Sequence, residues 1–115
     1  MRVTTEFWVS ALTRRVFGGG DYAAILKRGA TEAGAVFILS RDRKGSIVLL
    51  GPAPQTSYGE GRPDDRFFSI LYEGEDADLP QVRLEKEKRF DSDIWIVEIE
   101  VGREAIEELL TVRTP

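Results

Sequence analysis

The sequence contains neither cysteine nor histidine among its 115 residues, and this double absence limits how such a chain can hold a fold together. Disulfide bonds need cysteine, and structural zinc sites are built from cysteine and histidine. The fold must therefore rest on a hydrophobic core, for which 42% hydrophobic residues is an ordinary globular proportion. Chains of about 100 to 150 residues usually build one core, so we predict a single domain over residues 1–115.

The same absence excludes many kinds of catalysis. Histidine is the usual general base near neutral pH, and the cysteine thiolate is a common nucleophile. Ser-His triads, thiolate enzymes and iron–sulfur clusters held by cysteine are all excluded. Carboxylate, lysine, arginine, tyrosine and hydroxyl chemistry remains, but no catalytic residue stands out. We therefore lean towards a non-enzymatic protein and expect no cofactor.

The first 20 residues predict a helix and its end. Thr5 can cap the helix, Glu6 suits its positively polarised first turn, and the run Gly18-Gly19-Gly20 can stop it. The residues at helical spacing are Trp8, Ala11, Leu12, Arg15 and Val16. A strand over residues 4–9 is the alternative.

Short runs rich in β-branched and aromatic residues follow, and each is bounded by Gly, Pro or Asp. We predict antiparallel strands over Tyr22–Lys27, Ala35–Ser40, Ile47–Leu50 and Phe67–Tyr72. A hairpin loop over residues 41–45 joins the second strand to the third, with Gly45 suited to a positive φ. Residues 51–63, rich in Gly and Pro, predict a long surface loop.

A second helix is predicted to begin at Asp78, with Pro80 in its first turn. Leu79, Val82 and Phe90 would form its apolar stripe, although Val82 and Leu84 would equally suit a strand. A last helix over Arg103–Leu110 follows Gly102 and needs an apolar surface for its hydrophobic residues. Those residues are Ile106, Leu109 and Leu110.

The clearest strand runs from Ile94 to Val101, where Trp95, Val97 and Ile99 alternate with partly polar residues. We expect these three side chains to be buried on a central strand, and we expect both tryptophans of the chain to be core residues. The fold class is then α+β, with a five-stranded, mainly antiparallel sheet and two or three helices packed mostly on one face.

Four stretches resemble a known family: MRVTTEFWVSALTRRV at the start, GATEAGAVF in the middle, GPAPQ after the third strand and RFDSDIWIVEIE near the end. On these stretches the chain resembles a short, single-domain alphaproteobacterial family catalogued as a domain of unknown function. The resemblance covers residues 1 to about 100. It implies a cytosolic bacterial protein, and it transfers no catalytic residue because none is established for the family.

Charge divides the chain into two halves. Residues 1–56 carry eight Lys or Arg and four Asp or Glu, whereas residues 57–115 carry eight and sixteen. The candidate binding residues lie in the basic half: they are Lys27, Arg28, Thr31, Arg41, Arg43 and Lys44. Together with Arg14 and Arg15 they could form a nucleic-acid-binding face, unless the halves interleave in the fold and mix their charges.

The link over residues 29–34 begins and ends with glycine and lies beside Lys27 and Arg28. Backbone amides freed by glycine can form an anion-binding nest. The link lacks the Lys-Ser/Thr ending of a P-loop, however, and a strand is predicted to follow it. We therefore favour a plain turn.

Carboxylates suggest a metal site as an alternative. Asp91, Asp93, Glu98 and Glu100 lie within ten residues, and with Asp64 and Asp65 they could hold magnesium, manganese or calcium in a hydrolase. A stretch of strand separates the aspartates from the glutamates, so we favour a solvated strand face and predict no metal.

The function that we predict is a non-enzymatic module that binds an unknown protein or forms a homodimer. Its location is predicted to be cytoplasmic, since no apolar run approaches the ~20 residues of a membrane-spanning helix and the first residues do not predict a secretory signal. Nucleic acid is a disfavoured partner because the isoelectric point is about 4.9. The carboxylate-based hydrolase and the nucleic-acid-binding module remain as alternatives.

Overall fold

The computed structural model describes residues 3–54 and 66–113. The helices are α1 (Thr5–Gly18), α2 (Asp78–Phe90) and α3 (Arg103–Leu109). The strands are β1 (Tyr22–Lys27), β2 (Val36–Arg41), β3 (Ile47–Pro52), β4 (Phe67–Gly74), β5 (Trp95–Glu100) and β6 (Thr111–Val112). They form one sheet in the order β1-β5-β2-β3-β4-β6, which confirms the α+β fold class.

The sheet is mixed but mostly antiparallel. β2, β3 and β4 follow one another as antiparallel neighbours. The chain then crosses the sheet through α2 and inserts β5 between β1 and β2, antiparallel to the first and parallel to the second. β6 is a sixth strand that the sequence did not predict, and it pairs with β4 in parallel over two residues. Because β5 lies between two strands of the basic half, the two halves of the chain interleave.

One face of the sheet is covered by α1 and α3. These helices contribute Val9, Leu12, Val16 and Ile106 to the core on this side. Trp95, Val97 and Ile99 reach the same core from β5 and are fully buried, as the alternation predicted. Trp8 is half-buried against this core rather than inside it.

The opposite face is covered by α2 through a smaller core. The buried members of this second core are Phe37, Leu39, Ile47, Leu49, Leu84, Ile94 and Ile96. Leu84 is the one residue that α2 contributes to it. The prediction that the helices pack mostly on one face therefore holds for two of the three.

The apolar stripe predicted for α2 is wrong. Leu79, Val82 and Phe90 are all exposed, whereas Pro80 and Leu84 are buried. Spacing of four residues places Pro80 and Leu84 on one side of the helix, and the three expected core residues lie on the other. The helix therefore has two apolar stripes, and the shorter one, formed by Pro80 and Leu84, packs against the sheet.

The boundaries of α1 depart from the prediction by one residue. Thr4, not Thr5, is the N-cap, and its side chain accepts a hydrogen bond from the amide of Phe7 at 3.1 Å. Thr5 is instead buried in the first turn, where its hydroxyl donates to the carbonyl oxygen of Gly34. The glycine stop is confirmed, since Gly19 is the C-cap and Gly20 has a φ of 87°.

The two predicted loops differ in outcome. Gly45 has a φ of 96°, so the hairpin between β2 and β3 has its glycine at the position of positive φ that was expected. The predicted loop over residues 51–63 begins inside β3, which extends to Pro52. Residues 55–65, which include Asp64 and Asp65, lie outside the described part of the chain.

Candidate functional site

The main candidate is the solvent side of α2. This helix begins with two local signals: Asp78 places a negative charge in the first turn, and the Asp78 amide donates to Oδ1 of Asp76 at 2.8 Å. It ends at Phe90, and the amide of Asp91 donates to the carbonyl of Glu87. Between these ends the helix packs on the sheet through Leu84. Most of its circumference is therefore open to solvent.

Five residues form the outer face of α2, as we call it: Leu79, Val82, Lys86, Arg89 and Phe90. The three apolar side chains are 54%, 67% and 89% exposed, in that order. Steps of three, four and four residues bring Leu79, Val82, Lys86 and Phe90 to one side of a helix, over a length of about 16 Å. The outer face thus carries three exposed apolar side chains, with Lys86 between Val82 and Phe90 and Arg89 beside them.

The charges of α2 are only partly paired. Arg83 Nε lies 2.8 Å from Glu87 Oε2, and Lys88 Nζ lies 2.6 Å from Glu85 Oε2. Within the described residues, Lys86 and Arg89 make no salt bridge. A shallow depression of about 570 Å³ lies at this end of the helix and is lined by Lys86, Glu87, Arg89 and Phe90. Two cations without a salt bridge in the described part of the chain therefore flank Phe90, the single aromatic residue of α2.

The candidate binding residues Lys27, Arg28 and Thr31 lie together, at the end of the sheet where β5 begins. Nζ of Lys27 donates to the backbone carbonyls of Arg28, Ser92 and Ile94 at 3.2, 2.7 and 3.1 Å. Arg28 pairs with Glu6 and stacks over Trp95 at 4.9 Å from the ring centroid. The Thr31 carbonyl accepts the Glu6 amide. All three therefore contribute to contacts within the fold.

Arg41, Arg43 and Lys44 lie at the opposite end, separated from the first group by the length of β2. Six residues of strand span about 17–20 Å. Arg41 Nε lies 2.6 Å from Glu98 Oε2, although the angle is poor for a hydrogen bond. A cavity of about 360 Å³ at this end is lined by four cationic and four anionic side chains. These side chains are Arg41, Arg43, Lys44, Arg103, Asp21, Asp42, Glu100 and Glu104.

Arg14 and Arg15 of the basic half lie near the end of α1. Arg15 donates to the carbonyls of Glu108 and Leu109 at 3.1 and 3.4 Å, so it caps the end of α3. Arg14 is exposed. As far as the structure describes it, the basic half thus does not form one continuous cationic face: its charges are divided between the two ends of the sheet and are partly used in capping.

The link over residues 29–34 packs tightly between α1 and β5. Its carbonyls accept the amides of Thr5 and Glu6 at the start of α1, at 3.3 and 3.1 Å. A Cβ on Gly34 would lie 2.5 Å from the Asp93 carbonyl oxygen and 2.9 Å from Trp95 Cδ1. Glycine is therefore required for close packing, which favours the turn interpretation over an anion-binding nest.

The predicted acidic group is spread along β5. Asp91 and Asp93 precede the strand, and the Oδ1 of Asp91 accepts the Asp93 amide at 2.9 Å. Glu98 pairs with Arg41, and Glu100 follows at the far end of the strand. In residues 3–54 and 66–113, no three acid side chains are placed so that they could hold a metal ion.

Arg66 is a partly buried cationic residue that the sequence did not single out as a candidate functional residue. Its guanidinium donates to Thr5 Oγ1 at 2.6 Å and to the Gly34 carbonyl at 3.3 Å, and it lies over the ring of Trp8. Burial lowers the pKa of Arg66 from its usual value. It borders a cavity of about 180 Å³ between α1 and β6. No local sequence signal marks it, because its partners come from positions 61 and 32 residues away.

These features describe a small α+β domain with a six-stranded mixed sheet and a charged, partly apolar surface. The chain belongs to the DUF1491 family, described as a protein of unknown function, whose model matches residues 3–109. No curated protein matches the chain. In the described ranges, no helix is both long and apolar enough to cross a membrane.

Solved structures from two bacteria are similar over nearly the whole length. The solution structure of a protein from A. tumefaciens is 42% identical, covers 100% of this chain and 98% of its own, and has a TM-score of 0.83. The crystal structure of a DUF1491 family protein from Caulobacter crescentus is 31% identical, with coverages of 96% and 99% and a TM-score of 0.80. The likeness to bacterial proteins of a family of unknown function confirms the resemblance noted from the sequence.

Proposed function

We propose that the chain is a non-enzymatic, cytoplasmic bacterial domain that binds another protein through the outer face of α2. One observation carries the proposal: α2 contributes Leu84 to the core but presents Leu79, Val82 and Phe90 to solvent. Single exposed apolar residues are common, whereas three of them on one side of a helix, with polar residues around them, are typical of an interaction site.

The energetics favour a partner that supplies both apolar and polar contacts. Full burial of one large apolar side chain stabilises a complex by about 1.5–3 kcal/mol. Association costs about 4–15 kcal/mol in lost translational and rotational freedom, so three such side chains offset only the lower part of that range. Further contacts must come from Lys86 and Arg89, whose charges are not neutralised by salt bridges within the described residues.

These requirements describe the partner. A helix whose anchors recur at steps of three and four residues fits an apolar groove, as in other helix-in-groove complexes. Carboxylates at the rim of that groove would face Lys86 and Arg89 and would orient the encounter. The partner is therefore a protein with an apolar groove and an acidic rim.

The alternatives have less support. The hydrolase needs carboxylates that converge, and Asp91, Asp93, Glu98 and Glu100 are spread along β5. The nucleic-acid-binding module needs one continuous cationic face, and its residues are divided between two ends of the sheet.

Affinity capture with matched variants tests the proposal. The tagged chain is incubated with a lysate of the native bacterium, and retained proteins are identified by mass spectrometry. We expect at least one protein to be retained by the wild type and to be reduced about tenfold or more by the Val82→Ser, Phe90→Ser double variant. Loss of two apolar anchors at about 1.5 kcal/mol each is sufficient for that reduction.

The control variant is Phe7→Ser, which removes an exposed phenylalanine from α1. It should leave the capture unchanged. Retention of the same proteins by the wild type and by both variants would contradict a role of α2 in binding, as would a partner that is lost with Phe7→Ser and kept with the double variant.

A further inference from the structure

The free edge of β1 is a second surface, separate from the outer face of α2. β1 is the first strand in the sheet order and pairs with β5 on one side. Within the described residues no strand covers its other side, so alternate backbone amides and carbonyls along Tyr22–Lys27 point outwards without a ladder partner. Such an edge is a template for pairing with another strand.

β1 has few of the features that usually protect an edge strand. It contains no proline, and its single charge is Lys27 at the last position. The Lys27 ammonium is directed back to the carbonyls of Ser92 and Ile94, so it does not guard the free edge. The irregular pairing with β5 between Ile25 and Lys27 does protect the end of the strand, but it leaves Tyr22 to Ile25 in regular register.

The side chains beside this edge are apolar and exposed. Tyr22 and Leu26 are each 50% exposed, and the ring of Phe17 packs edge-on against Tyr22 with 6.2 Å between centroids. Ala23 and Ala24 lie between Tyr22 and Leu26 and are small enough to let another backbone approach. The edge therefore offers backbone hydrogen bonds together with an apolar cluster at one end.

We propose that β1 pairs antiparallel with β1 of a second copy of this chain, so that two sheets join across a two-fold axis. A two-fold axis perpendicular to a continuous sheet maps each surface of the sheet onto itself, and residues paired across two strands have their side chains on the same surface. Because side chains alternate between the two surfaces along a strand, the residue numbers of each pair must add up to an even number. Centring the pairing on Ala24 aligns Tyr22 with Leu26 of the second copy, twice by symmetry, and Leu26 lies where the pairing with β5 becomes irregular.

Charge favours this pairing. No ionisable group other than the Tyr22 phenol lies between Tyr22 and Leu26, so the axis brings no like charges together. A second copy of β1 therefore offers an edge of matching polarity and apolar character. The proposal does not depend on binding by α2.

Sedimentation velocity over a concentration series tests the pairing. We expect a reversible dimer for the wild type. Tyr22→Lys and Leu26→Glu should each weaken the dimer about tenfold or more, because each places a charge against an apolar residue at two symmetric positions. Combining both substitutions in one chain sets opposite charges against each other across the axis, and it should restore most of the lost affinity.

Leu79→Lys is the matched control, since Leu79 is similarly exposed on α2. It should leave the dimer unchanged and should weaken capture of the α2 partner, which separates failure of this proposal from failure of the proposed function. Hydrogen exchange of the wild type adds a measurement that needs no variant: the outward-pointing amides within Tyr22–Leu26 should become more protected as concentration rises.

Three sedimentation results would each overturn the proposal. They are a wild type that stays monomeric at the highest concentrations, a dimer that Leu79→Lys weakens and the β1 variants do not, and a combined variant that is no tighter than the single ones. Protection of the β1 amides that does not change with concentration would be equally decisive against it.

Discussion

Trp95 connects more parts of the fold than any other side chain described above. Its ring is buried in the core beneath α1, and its Nε1 donates to the Ala30 carbonyl at 2.8 Å. Arg28 stacks on the same ring, and the Cβ position of Gly34 is close to it. One indole therefore fixes the link over residues 29–34 against the start of β5.

Trp95→Ala should lower the free energy of unfolding by about 3–5 kcal/mol, as a large-to-small substitution in a core does. The variant also leaves the Ala30 carbonyl without its indole donor, which adds to the loss. Urea denaturation followed by circular dichroism measures the change. Phe7→Ala, on an exposed residue, is the control and should shift stability by less than about 0.5 kcal/mol. Equal stability of the wild type and the Trp95 variant would contradict the assignment of Trp95 to the core.

Residue-scale prediction from sequence succeeds where one physical rule dominates. The alternation of Trp95, Val97 and Ile99 is readable because a strand buried on one face has a period of two. The N-cap was misplaced because Thr4 and Thr5 have the same capping chemistry. Tertiary contact decides between them: Thr5 is the one whose hydroxyl reaches Gly34.

At the scale of elements, the link over residues 29–34 determines how α1 is seated. Its carbonyls take the first amides of α1, and the Ala30 amide donates to the Asp93 carbonyl at 3.0 Å. A helix start normally leaves amides without intrahelical partners, and here the link satisfies two of them. α1 and β5 are thereby joined through a segment that has no regular structure of its own.

Gly34→Ala tests this close packing. The added methyl group would meet backbone and indole atoms that cannot both move aside, so we expect a loss of about 1–3 kcal/mol, as for overpacked cores. Gly18→Ala is the matched control, because no atom lies within 4 Å of the position that its Cβ would occupy. The control should be neutral or stabilising. Thermal unfolding of both variants measures the difference, and equal melting temperatures would contradict the packing role.

Element prediction failed in two places for physical reasons. The apolar stripe of α2 was misassigned because the side with Leu79, Val82 and Phe90 is more hydrophobic than the side with Pro80 and Leu84. The way in which the helix is placed against the sheet decides which side is buried, and it buries the less hydrophobic one. β6 was missed because two residues carry no periodicity, and its pairing with β4 is set by where α3 ends. The exposed apolar strip that became the candidate site could therefore not be recognised from the sequence.

For the whole molecule, the division of charge along the chain does not become a division in space. β5 comes from the acidic half and lies between β1 and β2 of the basic half, and Glu98 on it neutralises Arg41. The ion pair between Arg103 and Glu73 lies within the acidic half. The surface is mixed because the topology interleaves the halves, which is the alternative that the sequence left open.

This mixing predicts weak or absent binding to nucleic acid at physiological salt. A protein that contacts phosphates loses affinity with salt at a slope of about -0.9 per contact on duplex DNA. Here Arg41, Arg43 and Lys44 share their cavity with four carboxylates, so a polyanion that approaches them meets repulsion at the same place. Fluorescence anisotropy with duplex and single-stranded probes, across a salt series, measures the affinity. Salt-sensitive micromolar binding that disappears in an Arg41→Ala, Arg43→Ala double variant would contradict the prediction and would favour a nucleic-acid partner over a protein.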